Sequence, residues 1–162
     1  AGLAIYSSHI PLDVHSRLGN NACLAEAIGM TNAEPYHPWK GIQLGLAQEM
    51  QVSRDELAKR VSDAVGCEIH VCPGRKDDAV GRVGVITGGA GSEISAMAAE
   101  GIDTFITGEG PHWSFPLAEE LGVNLFYAGH YATETFGVKA LADWLGERAG
   151  LEWEFIDHPT GL

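Results

Sequence analysis

The residues Gly129-His130-Tyr131-Ala132-Thr133-Glu134 follow an apolar run, Val123 to Ala128, and precede a segment with helical periodicity. A strand ending in Gly-His, with a carboxylate four residues on, sets an imidazole and an oxygen donor together at the carboxyl edge of a sheet, a pairing able to hold a metal ion. His130 then falls at the N-terminal edge of a helix expected from Thr133 to Arg148. Because a helix N-terminus favours anions, a cation there needs carboxylates such as Glu134, with a hydroxide or phosphate, to balance it. A second reading stays open at this point: Glu134 as a first-turn acid and His130 as a turn residue.

A second ligand-rich stretch lies near the other end of the chain, in Tyr6-Ser7-Ser8-His9-Ile10-Pro11-Leu12-Asp13-Val14-His15. Leu3 to Ser7 reads as a short apolar strand, and Pro11 is expected to stop a helix from starting across it, so His9, Asp13 and His15 fall on a strand-end loop. Carboxylate and neutral imidazole are ligands for zinc, manganese and iron. The alternative is a solvated loop in which Asp13 caps a turn.

Two glycine-rich stretches also close strands. Thr87-Gly88-Gly89-Ala90-Gly91-Ser92 joins a strand to a helix, a geometry in which backbone N–H groups of Gly88, Gly89 and Gly91 can hold a substrate phosphate. It has neither the Lys of a P-loop nor the spacing of a dinucleotide fingerprint, so a tight strand-to-helix turn is the competing reading. Thr107-Gly108-Glu109-Gly110-Pro111-His112-Trp113 supplies a carboxylate, Glu109, and an imidazole, His112, as candidate proton carriers; the alternative is a helix-capping Glu and a surface His. Cys67-Glu68-Ile69-His70-Val71-Cys72 does not make a thiolate zinc site, because strand alternation puts Cys67 opposite His70 and Cys72 and no second pair completes a tetrahedron.

The elements that must position these groups alternate along the chain. Strands are expected near Leu3 to Ser7, Gly41 to Ala47, Glu68 to Cys72, Arg82 to Ile86, Asp103 to Thr107, Asn124 to Ala128 and Trp153 to Ile156. Helices are expected near Asn21 to Ile28, Arg54 to Val65, Ser92 to Glu100, Phe115 to Leu121 and Thr133 to Arg148. Ser53 with Glu56 forms a capping box before the second of these, and Gly66 closes it. Pro73-Gly74-Arg75-Lys76-Asp77-Asp78 is the most polar and turn-rich stretch, and marks a boundary between residues 1–76 and 77–162. The expectation is an α/β fold of two lobes, layered α/β/α with mixed sheets, the first lobe incomplete and the metal site between them.

Twenty-two acidic residues against ten basic ones give a net charge of −12, a surface that repels nucleic acid and attracts cations. The three cysteines are an odd number, which fits a reducing compartment better than a disulfide scaffold. No apolar run approaches a membrane span and no signal peptide is legible, so a cytoplasmic location is expected.

The ordered set H-I-P-L-D-x-H, G-N-N-x-x-L-A, V-I-T-G-G-A-G-S (Val85 to Ser92), I-D-T-F-I-T-G-E (Ile102 to Glu109), G-H-Y-A-T-E and the closing F-I-D-H-P-T-G-L resembles the Nif-three-like dinuclear metal centre family, also called GTP cyclohydrolase I type 2 homologues. The resemblance spans essentially the whole chain. It implies that Asp13, His130 and Glu134 are ligands to two divalent metal ions, zinc, iron or manganese, sharing a bridging hydroxide. It implies a hydrolase acting on a nucleotide or related phosphorylated small molecule, and a ring-shaped homo-oligomer such as a hexamer. The competing function is a non-enzymatic metal-binding scaffold or a partner-binding homo-oligomer, to which the cluster Pro35-Tyr36-His37-Pro38-Trp39 could contribute a contact. Family members also carry a His-His pair upstream of the P-L-D motif. None occurs here, so the resemblance implies a fragment lacking the N-terminal part of the family domain, with three of five expected protein ligands.

Overall fold

The computed structural model describes residues 2–161. Its centre is a mixed sheet of six strands: β1 (Glu34–Trp39), β2 (Ile42–Glu49), β3 (His70–Cys72), β4 (Arg82–Val85), β5 (Thr104–Thr107) and β6 (Asn124–Tyr127), in the order β1-β2-β4-β5-β6-β3. β4, β5 and β6 run parallel, with Val83 beside Thr104 and Phe105 beside Leu125; β2 and β3 flank them antiparallel. The parallel trio brings three strand ends to one edge, where the loops after them carry the motifs that could do chemistry.

Helices cover both faces: α1 (Ile10–Asp13), α2 (Asn20–Ala27), α3 (Arg54–Val65), α4 (Ile94–Ala99), α5 (Ser114–Leu121), α6 (His130–Thr133) and α7 (Thr135–Ala149). Strand alternation divides the core. Val83, Val85, Ile106 and Phe126 point to Leu24 of α2, Ile28 at its C-terminal cap, and Leu57 and Val61 of α3. Phe105 and Leu125 point the other way, to Ile94, Met97 and Ala118 of α4 and α5. The layered α/β/α arrangement with a mixed sheet is the expected one. The proposed boundary after residue 76 falls in the β3–β4 connection, and strands from both sides of it share this sheet.

α3 begins and ends where its local signals say. Ser53 Oγ accepts the backbone N–H of Glu56 at 3.1 Å, and Gly66 takes the left-handed conformation that stops the helix. The Glu56 side chain pairs with Arg60, so the cap is one-sided rather than a reciprocal box.

Four local expectations are corrected. Residues 3–7 and 153–156 form no strand; Leu3, Ile5, Tyr6 and Ile156 are exposed, and alternation without a neighbouring ladder leaves backbone groups to water. Pro11 does not prevent a helix at Asp13: it sits in the first turn of α1, where a missing N–H costs nothing. The last long helix is split at Glu134, with the short turn α6 ahead of α7. Beyond these, β1 has no counterpart among the expected strands; it holds two prolines, which an edge strand tolerates, and His37 at φ 63°. Among the described residues, no helix is long and apolar enough to cross a membrane.

Candidate metal centre

The loops after β4, β5 and β6 close on one another at the carboxyl edge of the parallel strands, and Thr107 and Thr133 stitch them. Gly88 N–H donates to Thr133 Oγ1, Ala90 N–H to Thr107 Oγ1, and Gly91 N–H to the Glu109 carbonyl. Gly88, at φ +73°, lies so near the ligands that an added Cβ would stand 2.3 Å from Glu134 Oε1 and 3.3 Å from His130 Nε2. Its role here is close approach. Of the three glycines read as a phosphate cradle, Gly88 and Gly91 spend their amides inside the protein, and Gly89 lines the cavity shared with His130 and Glu134.

Into that cavity, of about 280 Å³, come residues from both ends of the chain: His9 and Asp13 from α1 and its approach, and His130 and Glu134 from the α6–α7 segment. Ligand atoms of His9, Asp13 and Glu134 all lie within 4.8 Å of one another. His130 Nε2 is 3.3 Å from Glu134 Oε2. Atoms each about 2.1 Å from a shared ion stand up to about 4 Å apart, so a small inward movement closes this set around a cation. Two imidazoles and two carboxylates suit zinc, iron or manganese. Asp13 is buried, whereas the His9 side chain is 76% exposed, its Nε2 3.9 Å from Asp13 Oδ2.

Glu109 fixes the chemistry of His130. Its Oε1 lies 2.7 Å from His130 Nδ1, and an ionised carboxylate can only accept, so Nδ1 carries the proton. The neutral ring then presents the Nε2 lone pair toward the Glu134 carboxylate. Two electron-rich groups at 3.3 Å are favourable only with a proton or a cation between them. The directions in which the two pKa values move agree with this. Burial works to lower the His130 pKa, but the hydrogen bond its Nδ1–H donates to Glu109 and the charges of Glu134 and Glu109 outweigh it and raise the value above 6.5. Glu134 is raised above 4.5, by burial first and by the Asp13 charge, against the pull of His130 and His9.

Asp13, His130, Glu134 and Glu109 therefore meet, and His9 joins them. His112 does not; it stands exposed on the turn ahead of α5. His15 is also elsewhere, accepting the Leu18 N–H at 3.0 Å in a local turn. Two residues had no role in the sequence reading. Asn20 Nδ2 donates to Asp13 Oδ1 at 2.7 Å, and Asn21 accepts from Thr87 N–H and donates to the Leu44 carbonyl. Their signal was the Gly-Asn-Asn run: two adjacent polar residues opening a helix beside apolar ones have to find buried partners.

Beyond His130 the site opens toward the C-terminal segment. A cavity of about 410 Å³ is lined by Glu109, His130, Glu134, Val138 and Phe155. It shares Tyr131, Thr135 and Phe155 with a neighbour of about 750 Å³ that contains Lys139 and Asp157. The segment that roofs them is held by Tyr131, whose hydroxyl donates to Asp157 Oδ1 and accepts the His158 N–H, both at 2.8 Å.

The mixed α/β fold is also that of solved relatives. Residues 1–160 match Duf34/NIF3 (NGG1p interacting factor 3), and the chain belongs to that family. It is 40% identical to a protein of Deinococcus radiodurans and 39% identical to one of Escherichia coli K12, both named GTP cyclohydrolase 1 type 2 homolog, covering 100% and 96% of this chain. The chain spans 62% of the length of each. Among solved structures, protein ybgI, described as of unknown function, superposes with a TM-score of 0.84 at 38% identity, covering 96% of this chain and 62% of that one. TTHA1606 from Thermus thermophilus gives 0.78 at 38% identity, over 97% and 62%. Reduced HcgD from Methanocaldococcus jannaschii gives 0.78 at 31% identity, over 91% and 58%.

Proposed function

We propose that the chain is the ligand-bearing part of a metal-dependent hydrolase, acting on a nucleotide or related phosphorylated small molecule. The observation that carries this is the meeting of His9, Asp13, His130 and Glu134 in one cavity, with His130 Nε2 facing a carboxylate at a distance that a shared proton or a cation would bridge. Divalent ions held by Asp13, His130 and Glu134 would supply Lewis acidity and a water acidic enough to ionise near neutral pH. The name of the curated relatives supports a cyclohydrolase type of reaction by analogy.

The chain's own residues have definable tasks in such a reaction. Glu109 holds the proton on His130 Nδ1 and so keeps Nε2 turned toward the ligand set. The larger cavities beside His130 provide room for an organic substrate, with Phe155 and Val138 as apolar walls. Lys139, whose ammonium lies 4.3 Å from the centre of the Phe155 ring, is the basic side chain placed to meet a substrate phosphate there, and Gly89 is the remaining backbone candidate in the ligand cavity. The test is metal content and hydrolysis across a panel of nucleotides. Asp13→Asn and Glu134→Gln are each expected to strip metal and abolish turnover while the thermal transition is retained. Full metal occupancy in both variants would overturn the ligand assignment.

A second reading, self-association into a ring or the binding of a partner, is favoured by a different observation. Val138, Trp144 and Leu145 on α7 and Leu151, Trp153 and Ile156 just after it are exposed, a run of large apolar side chains left to water within one stretch of the chain.

A further inference from the structure

We propose that Asn20 is a positioning residue that sets the two halves of the metal centre relative to each other, by orienting Asp13 and capping α7 with the same carboxamide. Glu134 occupies the N-cap position of α7, yet its side chain makes no capping hydrogen bond; it is turned to His130 and the ligand cavity. A helix start left without a cap has unsatisfied N–H groups. Asn20 supplies the missing acceptor from another helix: its Oδ1 accepts the Gly137 N–H, in the first turn of α7, at 2.6 Å. Its Nδ2 donates to Asp13 Oδ1 at 2.7 Å, which leaves Asp13 Oδ2 on the side of His9. Asn20 is 4% exposed, so neither bond competes with bulk water.

Gly137 shows how tight this junction is. A Cβ there would lie 2.9 Å from Asn20 Oδ1, so the position has no room for a side chain while the amide bridge exists. The bridge explains how Glu134 is released from capping to serve as a ligand. It also explains how Asp13 and Glu134, 121 positions apart by subtraction of their numbers, hold a common spacing. The part of this that concerns affinity rests on the metal-centre reading above; the part that concerns α7 does not.

The test compares the metal-free wild type with Asn20→Asp and Asn20→Ala. Zinc affinity is measured by competition with a chromophoric chelator, and exchange of the Gly137 amide is followed by NMR without metal. Asn20→Asp keeps an acceptor for Gly137 and places a carboxylate oxygen against Asp13 Oδ1 where a donor stood. It is expected to keep Gly137 protected while zinc affinity falls about 10–100-fold, the range seen when groups that orient ligands are altered. Asn20→Ala is expected to lose both. Zinc binding by Asn20→Asp within roughly twofold of wild type would overturn the orienting role. Unchanged Gly137 exchange in Asn20→Ala would overturn the capping role. Should the wild type bind no zinc, the metal-centre reading fails, and a double-mutant cycle between Asn20→Ala and Asp13→Ala on metal-free stability decides the bridge: coupling is expected, and additivity would refute it.

Discussion

At the residue scale, His130 is defined by what its two nitrogens face. Glu109 accepts the hydrogen bond from Nδ1–H and Glu134 stands at Nε2. Glu109→Gln keeps the shape but loses the charge that fixes the tautomer, and is expected to weaken zinc binding by about 10–100-fold without lowering the thermal midpoint, read by chelator competition and calorimetry. The pH dependence follows from the two raised pKa values. Folding of the metal-free chain makes His130 and Glu134 bind protons more tightly than the unfolded chain does. The stability this confers is complete below the ordinary values, 6.5 and 4.5, and is lost as pH rises through each raised value. Denaturant unfolding of the metal-free protein across that range is expected to show stability falling with pH. Zinc affinity is expected to climb over the same interval, because the ion requires the deprotonated ligands. A flat stability profile would contradict the geometry around Nε2.

At the element scale, local chemistry decides some boundaries and tertiary contact decides others. Ser53 and Gly66 bracket α3 with signals that need nothing beyond the helix itself. Ser53→Ala is expected to cost about 1 kcal/mol in denaturant unfolding, with no effect on zinc affinity because α3 lies outside the ligand set. α7 is the contrast. Its periodicity is readable from Thr135 onward, but its first turn depends on an amide 117 residues away, so the break at Glu134 was not legible. β1 was hidden for a related reason: Pro35 and Pro38 argue against a strand until the sheet shows that the strand is an edge.

At the scale of the whole molecule, the parallel order of β4, β5 and β6 is what gathers three loops at one edge and lets the N-terminal α1 close over them. Of the exposed apolar residues of α7, Val138 lines the cavity that holds His130 and Glu134, and Trp144 and Leu145 lie further along the helix that Glu134 begins. If they form a contact between copies, Trp144→Ser with Leu145→Ser is expected to shift the sedimentation profile toward monomer. Identical profiles for variant and wild type would refute self-association through this face.

Residue types and their spacing were enough to determine the α/β alternation, the strand-end positions of His130 and Glu109, and the candidacy of Asp13 and Glu134 as ligands, because these rest on periodicity and on the chemistry of carboxylate and imidazole. Only the tertiary structure decided that His9 rather than His15 joins them, that Gly88 serves close approach, and that Asn20 links the halves. Those outcomes depend on which groups the sheet order brings within a few ångströms, and buried polar partners distant in the chain leave no local pattern to read.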